Sequence, residues 1–222
     1  MSDMDSMSTA STDSATDNDF GQLNNKLSSS WDMYFSRNDV ENYDERLVYV
    51  ATVSTIGEFW ALYQHLKLPQ FLRQGCDYMF FRSGIQPYWE SKENKAGGRW
   101  MLEIPKAQRN TQLSDKWLET LLALVGEQLS KNSAEVNGAV VQSRRQQDRI
   151  SVWTSTDDET AKRIGNRYQR CVQSTFGLKF QSHGNRTSSI NLRYSFYVPK
   201  FNSQRTNSIE GKEKKNSSIT GK

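Results

Sequence analysis

The sequence predicts an α+β protein: a single, mainly antiparallel sheet of about eight strands, with three long helices gathered on one of its faces. Short runs rich in β-branched and aromatic residues recur along the chain and read as strands. Three helical windows interrupt them, each opened by a capping signal. Strands and helices follow in mixed rather than strictly alternating order, which favours helices on one face over a doubly wound sheet.

Taken in order, residues 1–30 are Ser, Thr, Asp and Asn with few apolar anchors, too little to offset the entropy of folding, so a disordered acidic tail is expected there. Strands are expected at Trp31–Ser36 and Leu47–Val53, before a helix whose start is marked by the capping box Thr55-x-x-Glu58. Phe59, Tyr63 and Leu66 can face the sheet, leaving Ile56 and Trp60 one turn apart on the flank. Strands follow at Tyr78–Phe81 and Arg99–Ile104, then a second helix capped by Ser114 or Asp115. That helix carries two apolar stripes, Trp117, Leu121, Leu124 and Leu118, Leu122, Val125, Leu129; a helix lying on a sheet needs one, so the second meets a neighbouring helix or a partner. After strands at Ala139–Ser143 and Arg149–Thr154, Thr156-x-x-Glu159 announces a third helix with Ala161, Ile164, Tyr168 and Cys171 or Val172 on its apolar side. The last strands are expected at Leu178–Gln181 and Tyr194–Val198, closing a domain over 31–199 ahead of a basic, low-complexity tail over 200–222.

Charge divides along the same boundaries. Residues 1–30 carry a net −4 and 200–222 a net +4, so the whole-chain +4 resides on the domain, enough for an anionic ligand without demanding extended nucleic-acid contact. Cys76 and Cys171 show no metal spacing and suit a reduced, intracellular protein. No apolar run reaches membrane-spanning length and the start lacks the form of a signal peptide, so a soluble protein without membrane association is expected.

The chemistry concentrates at Ile85–Trp100. Pro87 removes a backbone donor and Gly97-Gly98 supply turn residues, so Trp89 and Glu90 sit on a loop, where neighbours can converge on one flat ligand. The indole can stack on its face while the carboxylate accepts two hydrogen bonds on its edge, as the N1–H and 2-amino group of guanine would supply, and a positively charged guanine adds cation–π attraction. The bland alternative is a surface loop whose Trp folds back on the core. In Arg149-Ile150-Ser151-Val152-Trp153 strict alternation puts Arg149 and Trp153 on one face, and Arg144 and Arg145 precede it across a turn, a plausible phosphate clamp or else a solvated basic hairpin.

These motifs resemble the eukaryotic translation initiation factor 4E family. Pro-Tyr-Trp-Glu at 87–90, Gly97-Gly98-Arg99-Trp100, Glu58-Phe59-Trp60-Ala61-Leu62-Tyr63 and Trp117-Leu118-Glu119-Thr120-Leu121-Leu122 carry the match, extended by Cys76-Asp77-Tyr78, Val125-Gly126-Glu127, Asn137–Val141 and Ser151–Thr154 over roughly Leu27 to Val198. The resemblance implies a curved sheet with the helices on its convex back and the 7-methylguanosine cap of mRNA as ligand. It assigns stacking and guanine recognition to Tyr43, Trp89, Glu90 and Trp153, and the cap phosphates to Arg144 and Arg149. It also implies a dorsal patch of Leu27, Ile56, Trp60, Leu118, Glu119, Leu122 and Gly126 that receives a helical motif from a scaffold subunit or a 4E-binding repressor. Two positions depart from the common pattern: Tyr43 stands where a second Trp is usual, and Gln146 replaces a basic residue. Tyr43 is also seen in the 4E-homologous repressor branch, whereas Trp31 matches the initiation-factor branch, so initiator and repressor remain alternatives.

An enzyme is disfavoured. His65 and His183 lie far from any evident nucleophile, no phosphate-cradling Gly-rich loop is followed by Lys-Ser/Thr, and no carboxylate cluster suggests a metal-dependent nuclease. A generic single-stranded RNA module would show several spaced aromatics in a broadly basic groove, and is the distant alternative. The expectation is therefore a monomeric cap-binding protein without catalytic residues, metal or cofactor, in the cytoplasm or in both cytoplasm and nucleus.

Overall fold

The computed structural model describes residues 24–40, 43–184 and 189–192. Among these residues eight strands form one sheet: β1 (Lys26–Ser36), β2 (Leu47–Thr55), β3 (Asp77–Arg82), β4 (Gly98–Pro105), β5 (Val136–Gln142), β6 (Gln147–Thr154), β7 (Leu178–Ser182) and β8 (Ser189–Leu192). Their order is β2-β1-β3-β5-β6-β4-β7-β8, and every adjacent pair runs antiparallel. Three long helices, α2 (Ile56–His65), α3 (Ser114–Val125) and α4 (Glu159–Val172), accompany a single turn, α1 (Tyr43–Arg46), between β1 and β2.

Alternation along the strands divides the sheet into two faces. Trp31, Met33, Phe80, Trp100, Leu102, Ile104, Ile150, Val152, Leu178 and Phe180 join Phe59 of α2, Trp117, Leu121 and Leu124 of α3, and Ala161, Ile164, Tyr168 and Val172 of α4 in one core, so all three helices cover the same face. Gly165 lets α4 lie flat on Trp100, since a Cβ there would meet the indole at 2.3 Å. Trp100 Nε1 donates to Ala161 O at 2.7 Å, which satisfies the buried indole N–H. On the opposite, open face Phe81, Val140 and Trp153 form a small second cluster flanked by Met79 and Ile85.

The boundaries correct the sequence expectation in three places. β1 begins at Lys26, inside the stretch assigned to the tail, because the residues before Trp31 have distant partners that their composition does not announce: Lys26 pairs with Thr55, the ladder is irregular from there to Trp31, and Ser29 and Ser30 are tied by side-chain bonds to Arg82 and Ser54. The eighth strand lies at Ser189–Leu192, and the expected Tyr194–Val198 falls outside the described residues. The Thr55–Glu58 capping box is present as read, with Glu58 N donating to Thr55 Oγ1 at 3.2 Å and Thr55 N to Glu58 Oε2 at 3.0 Å. Neither Ser114 nor Asp115 caps α3: a π-helical turn at Arg109–Leu113 leads directly into it, so the first N–H groups of α3 are not orphaned. α4 is capped by Asp158, whose carboxylate accepts from Thr160 N at 2.8 Å; Thr156 instead donates to that carboxylate at 3.0 Å. α3 ends in a Schellman-type turn, Gln128 N to Ala123 O at 2.9 Å, with Glu127 at φ 50°. That left-handed conformation is unusual for a non-glycine residue, and Arg82 holds it by pairing both nitrogens with the Glu127 carboxylate at 2.7 and 2.9 Å.

Candidate functional site

The loop over 83–97 joins β3 to β4 and carries Trp89 and Glu90. Its interior is held by one fully buried side chain. Asn94 Nδ2 donates to Gln86 O at 2.9 Å and Tyr88 O at 2.8 Å, while its Oδ1 accepts from Asn137 Nδ2 at 2.9 Å. Asn137 also donates to Glu93 O at 2.8 Å, and His183 Nδ1 donates to Asn94 O at 2.8 Å, which places the imidazole proton on Nδ1 because a carbonyl only accepts. Gly97 passes so close to β6 that a Cβ would lie 1.7 Å from Thr154 O. The loop is thus fixed from within, and Trp89 remains 42% exposed on it.

Beside this loop lies a cavity of about 230 Å³ lined by Trp89, Arg99, Trp153, Gln181, Ser182 and His183. Register explains the gathering: Arg99 of β4 stands opposite Trp153 of β6 and Gln181 of β7, so the three form one rung of the open face. Trp153 is 6% exposed, packs edge-on against Phe81 at 5.4 Å and lies 4.5 Å from the His183 ring. Arg99 Nη2 donates to Gln181 Oε1 at 2.8 Å, tying two of the walls together. The cavity brings Trp89 and Trp153 together. Glu90 is exposed one residue beyond Trp89, outside this lining, and Tyr43 opens α1 with a side chain outside the description. Arg99, Gln181, Ser182 and His183 were not singled out from sequence. For Arg99 a signal existed, since alternation along β4 sets Arg99 opposite in direction to the buried Trp100, Leu102 and Ile104.

Arg149 stands four residues along β6 from Trp153 on the same face, about 13 Å at the rise of a strand. Its Nε lies 3.4 Å from Glu103 Oε1, an ion pair without a directed hydrogen bond, which leaves the terminal nitrogens of the guanidinium available. Arg144, in the β5–β6 turn, grips Asp77 with Nη1 and Nη2 at 2.5 and 2.8 Å and gives a further Nη1 bond to Ser143 O at 3.1 Å. Burial pushes the Asp77 carboxyl above its ordinary range, and the Arg144 pair pulls part of that shift back. Three of the five Arg144 donors are thereby used for position and two remain for a ligand. Arg145 and Gln146 are exposed in the same turn.

On the helix face, Trp60 is half-buried, edge-on to Phe59 at 5.2 Å and to Tyr63 at 6.1 Å. Ile56, Leu118 and Leu27 are likewise half-buried, while Leu122 is 38% exposed and Gly126 exposed. Of the two α3 stripes, Trp117, Leu121 and Leu124 are core, and Leu118, Leu122 and Val125 stay at the surface; Leu129, counted with them, is buried beyond the helix end. Glu119 pairs with Lys116 at 2.9 Å. Among the described residues no helix is long and apolar enough to cross a membrane, and no cluster of His, Cys, Asp and Glu could hold a metal ion.

Fold and site together define a single-sheet α+β protein whose open face joins an aromatic cavity to a guanidinium-rich end, with helices on its back. Residues 26–194 match the family described as Eukaryotic initiation factor 4E, and the chain belongs to that family. It is 37% identical over 182 residues to eukaryotic translation initiation factor 4E of Aplysia californica, covering 78% of this chain and 85% of that protein. It is 39% identical over 166 residues to the Homo sapiens factor, covering 72% and 76%. Among solved structures it resembles Ascaris suum eIF4E-3 in complex with the m7G cap (TM-score 0.74, 30% identity, 78% of this chain and 100% of that one). It also resembles C. elegans eIF4E-3 bound to the 4E-binding protein Mextli (TM-score 0.69, 30% identity, 74% and 98%).

Proposed function

We propose that this protein binds the 7-methylguanosine cap of mRNA on its open face and recruits or regulates the translation initiation machinery through its helix face. The observation that carries the reading is the shared cavity of Trp89 and Trp153, with Arg149 further along the same face of β6. In this arrangement Trp89 and Tyr43 stack on the methylated base, Trp153 meets it from the floor, Glu90 accepts from N1–H and the 2-amino group, and Arg144 and Arg149 hold the phosphates. The action is binding without covalent chemistry, by a monomer in the cytoplasm, performed by the domain over 31–199 with the preceding β1 residues. The dorsal residues Leu27, Ile56, Trp60, Leu118, Glu119, Leu122 and Gly126 receive a helical motif of a scaffold subunit or a repressor.

The experiment is titration with 7-methylguanosine triphosphate and guanosine triphosphate, followed by retention on cap resin with a helical partner peptide added. Wild type binds the methylated nucleotide more tightly. Glu90→Ala loses retention without change in melting temperature, because two charge-assisted hydrogen bonds at about 1.5–3 kcal/mol each disappear. Trp60→Ala keeps retention and loses the peptide. Equal affinity for both nucleotides in wild type overturns the reading. A second reading keeps the pocket but withholds the cap from initiation, as in the 4E-homologous branch, and is favoured by Tyr43 in place of Trp. Recovery of the initiation scaffold with the cap-bound protein excludes it.

A further inference from the structure

The guanidinium end of the open face contains a charge cluster that spans three strands. Glu103 of β4 stands opposite Arg149 of β6, and Lys179 reaches the same carboxylate from β7. Lys179 Nζ lies 2.5 Å from Glu103 Oε2, and Arg149 Nε lies 3.4 Å from Glu103 Oε1. Lys179 itself is in register with Met101, one rung nearer the cavity than the Glu103–Arg149 pair, a step of about 7 Å. The acid is therefore the bridge that draws a lysine and an arginine from different strands to one spot.

Exposure gives the cluster a direction. The carboxylate side chains are the covered members, Asp77 at 7% and Glu103 at 19%, while Arg144, Arg149 and Lys179 are exposed at 36%, 38% and 52%. Seen from solvent, the acids lie beneath and the cations above. Counting Asp77, Arg144, Arg149, Glu103 and Lys179 gives three positive and two negative charges, a net +1, and the four residues other than Lys179 are neutral together. An ion pair that merely stabilised the sheet would contribute little at this exposure, about 0–1 kcal/mol, and would not need to recruit a third strand.

We propose, on the basis of the cap reading above, that Lys179 is a third phosphate-binding cation, held beside Arg149 by Glu103, and that Glu103 tunes the preference of the site for long phosphate chains. A nucleotide seated at Trp89 and Trp153 sends its phosphates along the face towards Arg149. The first phosphate lies short of the cluster, and the later ones meet Lys179 and Arg149 together. Glu103 positions both cations and at the same time screens them, so its charge sets how much a further phosphate adds.

The test uses the full chain and titrates 7-methylguanosine mono-, di- and triphosphate at low and high salt. Lys179→Ala, a change at an exposed side chain, weakens triphosphate binding about fivefold, the upper end for an exposed ion pair, and flattens its salt dependence, with the monophosphate changed less than twofold. Glu103→Gln keeps an acceptor, removes the screening charge and raises triphosphate affinity by a similar factor. Melting temperatures within a few degrees of wild type show that the sheet is intact, and Lys179→Gln and Lys179→Glu, graded in charge at the same exposed position, keep the test valid if Glu103→Gln unfolds. If Lys179→Ala leaves the mono-to-triphosphate ratio unchanged while wild type prefers the triphosphate, Lys179 is not a phosphate contact and the cap reading survives. If wild type binds none of the three nucleotides, both fall.

Discussion

Trp89 lies on the loop before β4 and Trp100 within β4, yet they belong to opposite faces of the sheet. Trp100 is fully buried, its indole covered by Gly165 and bonded to Ala161 O, so its position is set by a helix packed over it. Trp89 is 42% exposed and no helix among the described residues covers its face, so its position is set by the backbone of the loop, through Asn94, Asn137 and His183. The contrast separates two uses of one residue type. On the helix face Trp100 contributes stability by burial; on the open face Trp89 leaves much of its ring in solvent, and the stability of its loop is supplied underneath by polar side chains. Substitutions should divide accordingly.

The largest expected effect is on the helix face. Trp100→Ala removes a fully buried ring and leaves a cavity beneath the third long helix, a cost of about 3–5 kcal/mol, which is a large share of the 5–15 kcal/mol typical of a domain. Urea denaturation should show it directly. Trp89→Ala should move the same midpoint little and abolish nucleotide-dependent quenching instead. Equal loss of stability in both variants would break the comparison and make Trp89 a core residue.

A smaller effect sharpens the claim that the loop is held from within. Asn94→Ala removes the bonds to the Gln86 and Tyr88 carbonyls and the acceptor of one Asn137 N–H, leaving Tyr88 O only Ser91 N, Gln86 O only a long contact from Ser91 Oγ and the Asn137 amide only Glu93 O, at about 0.5–1.5 kcal/mol for each bond lost. Because these groups belong to one loop, the cost should appear as local opening rather than global unfolding. Amide exchange should rise over 83–97, and affinity for 7-methylguanosine triphosphate should drop about tenfold, the equivalent of roughly 1.4 kcal/mol. Unchanged exchange in that loop would show that Asn94 is not its anchor.

How far these features could be read from sequence follows from how local their causes are. Alternation in β6 placed Arg149 and Trp153 on one face, and the capping box at Thr55 and Glu58 was read to the residue, because both depend on neighbours within a few positions. The cavity walls Gln181, Ser182 and His183 were not singled out, because they enter the site through the pairing of β7 with β4, a contact between residues about 80 apart. β1 was read short for the same reason: Lys26 and the polar residues after it have no strand signature of their own, and their partners Thr55, Ser54 and Arg82 are distant in sequence. Asp158 displaced Thr156 as the cap of α4 because the choice among adjacent polar residues depends on backbone direction, which composition does not encode. The pairing of Lys179 with Glu103 combines both limits, an exposed lysine and an intermediate glutamate that only strand order brings together.

The smallest effect concerns the wall that faces Trp89. α1, which Tyr43 opens, lies between Ser36 and Leu47, and those two residues pair at the end of the sheet where Asp77 of β3 also stands. The loop of Trp89 leaves from the other end of β3. The two segments therefore lie towards opposite ends of β3. If Tyr43 is the second wall, Tyr43→Trp enlarges the overlap and tightens binding by a fraction of the roughly 1–3 kcal/mol that one base–aromatic contact supplies. The gain must be larger for the methylated than for the unmethylated nucleotide, since only the methylated ring carries the charge that an indole face attracts. Tyr43→Ala should lose both affinity and methyl discrimination while leaving the urea midpoint where it is. Titrations of the two nucleotides that superimpose on wild type in both variants would assign the second wall to another aromatic side chain, and would leave Trp89 and Trp153 as the only parts of the stack that the open face supplies.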